Sequence, residues 1–285
     1  MDQPADGISD RDFRRLTELI GAECGMALGS AKRVMLETRL RKRVRLLGLH
    51  SLSEYCNYLD SPAGRREEWD KFIDAVTTHK TDFFREPGHF DFLVQRAVPE
   101  LAASSGAGYR RPLLVWSAAC STGEEPYTLA MVLDQYAEAV APEPFQFRIE
   151  ASDISAGVLE TAGRAVYSEE AVRPVPEGLR RRYVLRSRNR EERRVRMAPE
   201  IRARVCFRLV ILMDGSYGFD EPLDIIFCRN VMIYFDRVTQ EKILNRVVRT
   251  MRRGGYHLMG HSESLNGLDL PLVPAGPTVY RRLHG

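Results

Sequence analysis

The sequence predicts a mostly parallel, Rossmann-like α/β sheet, preceded by a small helical domain and interrupted by a short β-rich insert. Three observations carry this. Residues 9 to about 85 show helical periodicity and no strand pattern. From about residue 88, short apolar runs alternate with amphipathic stretches, the pattern of strands joined by crossover helices. At 113–133 a strand, a tight loop of small residues and a helix follow one another directly, as at the ligand-binding end of such sheets.

The elements follow in chain order. Ser9 is placed to cap a helix bearing Phe13, Leu16, Leu19 and Ile20 on one face. A second helix runs from about 30 to 47. Its apolar stripe is Leu36, Leu40, Val44 and Leu47, Gly48 fits the position just past its end, and its other faces carry Arg33, Arg39, Arg41, Lys42, Arg43 and Arg45. Ser51 or Ser53 opens a short helix through Leu59, and 69–76 is a further helical segment. Strands are expected at 113–116, 147–151, 225–228, 256–259 and 278–280, and helices at 88–101, 125–137, 154–162 and 237–251. The last strand follows a loop with Pro271, Pro274 and Pro277, too short for a crossover helix, so it is expected to be antiparallel. Residues 172–208 break the alternation with a hairpin whose turn is 187–192. Eleven arginines fall between Arg180 and Arg204, against Glu191, Glu192 and Glu200. The expected domains are thus 1–87, helical with a linker, and 88–285, with the insert at about 172–208.

A net charge of +3 gives no general pointer to nucleic acid. The five cysteines, at 24, 56, 120, 206 and 228, are scattered and form no C-x-x-C pair, so neither a zinc site nor a disulfide framework is expected. The acidic N-terminal stretch M-D-Q-P-A-D-G lacks an apolar core of the signal-peptide kind, and no run approaches the length of a membrane span. A cytoplasmic location is expected.

The loop W-S-A-A-C-S-T-G-E-E-P holds one glycine rather than three, with Glu124 and Glu125 where a pyrophosphate would lie. An acid there repels phosphate. The loop suits a ligand with an adenosine, no phosphate and a cationic centre, and S-adenosylmethionine has those properties. Asp153 ends the second strand, where an acid accepts from ribose hydroxyls or caps the following helix. Arg229 and Asn230 end the strand of F-C-R-N-V-M-I-Y-F-D. Asn230 suits an adenine edge or an amino-acid group, or closes a turn; Tyr234 faces the same crevice or belongs to the core. In T-T-H-K-T-D-F-F-R-E, Arg85 can take a carboxylate in bidentate fashion, or the segment is a linker anchored by Phe83 and Phe84 in which Arg85 bonds backbone carbonyls. G-H-S-E-S-L lacks the second glycine of a nucleophile elbow, which leaves His261 a structural or wall-lining role. No metal-binding motif occurs.

These stretches together resemble the CheR family of S-adenosylmethionine-dependent glutamate methyltransferases that act on bacterial chemoreceptors. The matching segments are T-H-K-T-D-F-F-R-E, W-S-A-A-C-S-T-G-E-E-P-Y-T, A-S-D-I-S, F-C-R-N-V-M-I-Y-F-D and G-H-S-E-S, in family order. The resemblance implies that His79, Thr81, Arg85, Glu124, Asp153, Arg229 and Asn230 hold the cofactor, with backbone groups of Ile211 and Leu212 against adenine. It implies S-adenosylhomocysteine as product, Tyr234 or Arg229 orienting the substrate, and the basic helix near Arg39–Arg45 facing the receptor. His79 stands where many relatives have Asn, and Val210-Ile211-Leu212 where many have V-N-L. The insert grips a receptor tail in some members; here its turn lacks their glycines, which favours a tail-independent enzyme. An RNA methyltransferase using the arginine-rich insert and a non-catalytic docking module are the rival expectations.

Overall fold

A computed structural model describes residues 7–283. The stretch read above for a signal peptide lies, apart from Gly7, outside these residues.

Ser9 caps α1 (Asp10–Cys24), its side chain accepting from the Asp12 N–H, and the helix buries Leu16, Ile20 and Cys24. A 3₁₀ turn, Ser30–Lys32, leads into α2 (Arg33–Leu46), which buries Leu36, Leu40 and Val44 and ends before Gly48 in the left-handed conformation. Ser51, not Ser53, caps α3 (Leu52–Asp60). Helix α4 (Pro62–Glu67) is too short to leave a periodic signal; Ser61 caps it and Pro62 fills its first turn. Helix α5 (Trp69–Val76) completes the helical region.

The expected helix at 88–101 is three joined pieces: α6 (Gly88–Phe92), a π turn (Leu93–Ala97) and α7 (Val98–Ser105). Then follow β1 (Leu113–Ala118), α8 (Glu124–Ala139), β2 (Phe147–Asp153), α9 (Ala156–Arg164), β3 (Val166–Ser168), α10 (Glu177–Tyr183), β4 (Val184–Arg186), β5 (Arg194–Met197), α11 (Pro199–Arg202), β6 (Val205–Leu209), β7 (Leu223–Cys228), α12 (Arg237–Thr250), β8 (Met251–Leu258), β9 (Leu272–Gly276) and β10 (Val279–Arg282). The main sheet has the order β6-β2-β1-β7-β8-β10-β9. Its first five strands run parallel; β10 is antiparallel to both β8 and β9. Strand order reverses between β1 and β7, so ligands are received beyond their carboxyl ends.

Two corrections concern the margins of the sheet. Val205–Leu209, expected within the insert, is the outer parallel strand beside β2. It is only partly buried, so V-C-F-R-L carries no clear apolar run. Strand β9 lies in the proline-bearing segment read as loop, and Pro274 is tolerated because an outer strand has no ladder bond to lose there. The insert is a three-stranded sheet in the order β3-β5-β4; the expected hairpin is β4–β5, and β3 starts earlier, at Val166.

The helical region and one face of the main sheet share a continuous core, in which Leu36, Leu40 and Phe72 belong with Trp116 and Ile226. Phe83, Phe90, Tyr127, Phe227 and Tyr256 fill the opposite face. At the amino end of β7 the fully buried Asp224 accepts from both Arg111 terminal nitrogens (2.6 and 2.7 Å), from Arg252 (3.2 Å) and from the Leu114 N–H (3.0 Å). That end of the sheet is sealed by charge, which leaves the carboxyl end for chemistry.

Candidate active site

The loops after β1, β2 and β7 and the segment after α5 enclose a crevice at the carboxyl ends of β1 and β7. His79, Thr81, Arg85, Asp153, Leu212, Arg229, Asn230 and Tyr234 all line it. Glu124 and Ile211 do not.

Glu124, expected at the cofactor, is turned away from the crevice by the geometry of the loop. Gly123 adopts φ +96°, and a Cβ there would sit 2.9 Å from that of Ala162, so only glycine turns the chain into α8 at this point. The next two residues point apart. Glu124 bonds the Thr122 hydroxyl at 2.6 Å, and burial pushes its carboxyl up. Glu125 lines the crevice instead; one oxygen accepts from the Ser117 hydroxyl at 2.6 Å and the other from Arg229 Nε at 2.7 Å. Both acids occupy the first turn of α8, and the sequence gives no phase to choose between them.

Asp153 is buried and accepts from the backbone N–H groups of Ser121 (2.9 Å) and Ser155 (3.1 Å). Burial raises its pKa, and those two donors pull it back. The cap of α9 is Ser155, which accepts from the Val158 N–H, so Asp153 is released from that role and faces the crevice. Ser155 also donates to Asp74 of α5, tying the helical region to this end of β2. The His79 carbonyl accepts from the Ser121 hydroxyl at 2.8 Å, and its ring nitrogen Nε2 lies 2.6 Å from the Thr77 hydroxyl.

Arg85 lines the crevice partly exposed, with one terminal nitrogen donating to the Lys80 carbonyl at 3.1 Å. Phe83 is buried and Arg85 bonds a backbone carbonyl, as a linker would have it, while its guanidinium also lines the crevice. Arg229 corrects an expectation. Its side chain is 2% exposed, bound to Glu125, to Glu86 (3.5 Å) and to the Arg85 carbonyl (2.8 Å). It braces the crevice floor and is not free to orient a substrate. Asn230 closes a turn, with φ +57°, and its amide contacts Glu86 at 3.4 Å.

Three contributors escaped the sequence. Glu263, in the G-H-S-E-S stretch, accepts from the N–H groups of Asn230 (2.8 Å), Met232 (2.7 Å) and Gly260 (2.7 Å), and so fixes the turn after β7. Cys24 and Met26, from the end of α1, line the crevice, and Met26 pairs with Phe235 in an isolated bridge. Only the buried position of this Glu among backbone donors, or contact across the chain, would have revealed them. His261 is exposed beside Glu86 and His89, and does not line the crevice. Glu86, His89 and His261 bring three ligand-type atoms within 4.8 Å, but His89 Nδ1 faces Arg229 at 3.1 Å and Nε2 faces Thr278 at 2.9 Å.

Backbone strain gathers here. Of the non-glycine residues with left-handed φ among those described, Phe84, Glu86, Ala119, Ser121 and Asn230 belong to loops around the crevice.

The basic helix is less available than its sequence suggests. Arg39 donates to the carbonyls of Val76 (3.1 Å) and Thr77 (2.8 Å), and Arg43 forms a two-pronged pair with the buried Glu68 (2.6 and 2.7 Å). Lys42 and Arg45 remain exposed.

Residues 79–276 match the CheR methyltransferase SAM binding domain, and residues 11–77 match the CheR methyltransferase all-alpha domain. The chain belongs to the CheR methyltransferase family. Among curated relatives of this CheR chain, the chemotaxis protein methyltransferase of Klebsiella aerogenes is 40% identical over 273 residues, covering 96% of this chain and 90% of the relative. That of Escherichia coli (strain K12) is 40% identical, covering 96% and 91%. That of Borreliella burgdorferi is 34% identical over 275 residues, covering 96% and 95%. The chain is thus a SAM-dependent chemotaxis methyltransferase, and most of the residues lining its crevice lie within the matched SAM-binding portion.

Proposed function

We propose that this CheR enzyme transfers the methyl group of S-adenosylmethionine to glutamate side chains on the cytoplasmic domains of chemoreceptors, giving methyl esters and S-adenosylhomocysteine. The observation that carries this is one crevice holding two buried carboxylates, Asp153 and Glu125, beside Arg85 and Tyr234, in a chain this close to chemotaxis methyltransferases.

The donor set fits the cofactor. Asp153, held by two backbone donors, keeps lone pairs for ribose hydroxyls. Glu125, fixed by Ser117 and Arg229, offers an acceptor for the cofactor's amino group. Arg85 takes its carboxylate, and His79, Thr81, Leu212 and Asn230 complete the walls. When bound, the cofactor supplies an electrophilic methyl on a sulfonium. A receptor glutamate oxygen forms the new C–O bond in line as the C–S bond breaks. A glutamate with pKa about 4.3 is already ionised at neutral pH, so no residue need remove a proton. The protein's contribution is positioning; Tyr234 directs the carboxylate.

Lys42 and Arg45 on α2 are the available cations for an acidic receptor helix. In the insert, Arg173, Arg181, Arg182 and Arg204 pair with Glu170, Glu177, Glu138 and Asp134, which weighs against an RNA-binding surface. All five cysteines are free and no described helix is long and apolar enough to cross a membrane, both of which suit work in the cytoplasm. Incubation with methyl-labelled S-adenosylmethionine and a receptor cytoplasmic fragment tests the proposal: label on the fragment, released as methanol by mild alkali, is expected. Alkali-stable label, or none, refutes it.

A further inference from the structure

A short segment after α1 brings the helical region to the crevice. After α1, the Ala27 N–H donates to the Tyr234 carbonyl at 2.9 Å, next to the bridge between Met26 and Phe235. The 3₁₀ turn that follows carries Lys32, whose Nζ lies 5.3 Å from the centre of the Tyr234 ring. Ile233, beside Tyr234 in the lining, is half exposed, which marks this side as the mouth of the crevice.

Lys32 makes no ion pair among the described residues. Neighbouring basic groups differ. Arg33 pairs with Asp10, Arg41 with Glu37 and Arg43 with Glu68. The crevice lining holds two further cations, Lys80 and Arg85, that make no ion pair among the described residues. Arg85 serves the cofactor's carboxylate in the proposed reaction. A lysine held over an aromatic face keeps its charge. Its stem has enough reach to follow an anion moving past Tyr234.

We infer that Lys32 is a substrate-positioning residue: mounted on Tyr234, it draws the receptor's glutamate carboxylate into the mouth and aligns it beside the tyrosine. The inference rests on the glutamate reading. It makes the site composite, because the helical region supplies the group that receives the substrate while the sheet holds the cofactor. Neither part alone then forms the complete active site.

The test compares wild type, Lys32→Met and Lys32→Arg as full chains, using a receptor cytoplasmic fragment with glutamate at its methylation positions. The Met variant is expected to lose about tenfold in kcat/KM for the fragment, chiefly through KM, the low end of electrostatic steering. Its rate should also depend less on ionic strength than that of wild type. The dissociation constant for S-adenosylhomocysteine, measured by calorimetry, should stay within about twofold, since Lys32 lies outside the cofactor walls. The Arg variant should recover most of the loss. An unchanged KM in the Met variant overturns the inference, as does a matching loss of cofactor affinity or an Arg variant as poor as Met. Alkali-labile transfer by wild type in the same assay keeps the glutamate reading standing when Lys32 fails; its absence removes both.

Discussion

At the scale of single residues, the paired acids of α8 separate by one helical step into unlike roles. Replacing Glu125 by Gln leaves the Arg229 guanidinium buried with a weaker partner. Breaking such a pair costs about 3–5 kcal/mol when one member is removed. We expect Glu125→Gln to lower both the denaturant midpoint and affinity for S-adenosylhomocysteine, and Glu124→Gln to spare affinity; equal losses in calorimetric titrations would contradict the geometry. A second expectation concerns His257, fully buried on β8 with neither ring nitrogen bonded. Burial holds its pKa down to about 4, below the usual 6.5. Burial, followed by the Arg229 cation, holds His89 to about 4 as well. The unfolded chain therefore takes up protons first as pH falls. Stability is complete above about pH 6.5 and drains away towards pH 4, by on the order of 3 kcal/mol per histidine. His257→Leu should flatten that slope in denaturation curves taken between these pH values; an unchanged slope counts against it. The enzymatic rate, in contrast, should be level above about pH 5, because the attacking glutamate is ionised there. A rate rising through pH 7 would point to a base that the crevice does not supply.

At the scale of elements, the site is a set of turns at strand ends, and one contact shows how tightly they fit. A Cβ on Gly260 would lie 2.3 Å from the Asn230 amide nitrogen and 2.9 Å from its backbone N. Gly260→Ala should push the turn after β7 off its Glu263 acceptor and cut cofactor affinity by an order of magnitude or more, as misplacement by about 1 Å can. Near-native affinity in the variant would show that the turn can give way. Elements with a local cause were legible: Ser9 as a cap, the apolar run into β1, the apolar stripe of α2. Segments whose structure depends on distant partners were not. V-C-F-R-L becomes β6 only because β2 offers a free side, and L-V-P-A-G becomes β9 only because β10 folds back on it. The site was legible as a set of loops but not in the direction of each side chain. Glu124 and Glu125 differ by where Ser117 and Arg229 stand, and Arg39 and Arg43 by the carbonyls and the acid that α5 and its neighbours place before them.

At the scale of the whole molecule, the sequence divides the chain near residue 87, whereas packing joins its parts. Helices α2 and α5 share their core with β1 and β7, and Cys24 and Met26 wall the cofactor crevice. One cooperative calorimetric transition is expected, raised by saturating S-adenosylhomocysteine. Two transitions, only one moved by ligand, would mean the parts unfold separately. The outer strands bear on a different matter. Strand β9 offers a proline in place of an amide, and β6 at the far side is short, follows Arg204 and carries Arg208. A second copy approaching finds a missing donor at β9 and charged side chains at β6. Strand pairing between copies is thereby disfavoured at both flanks of the sheet.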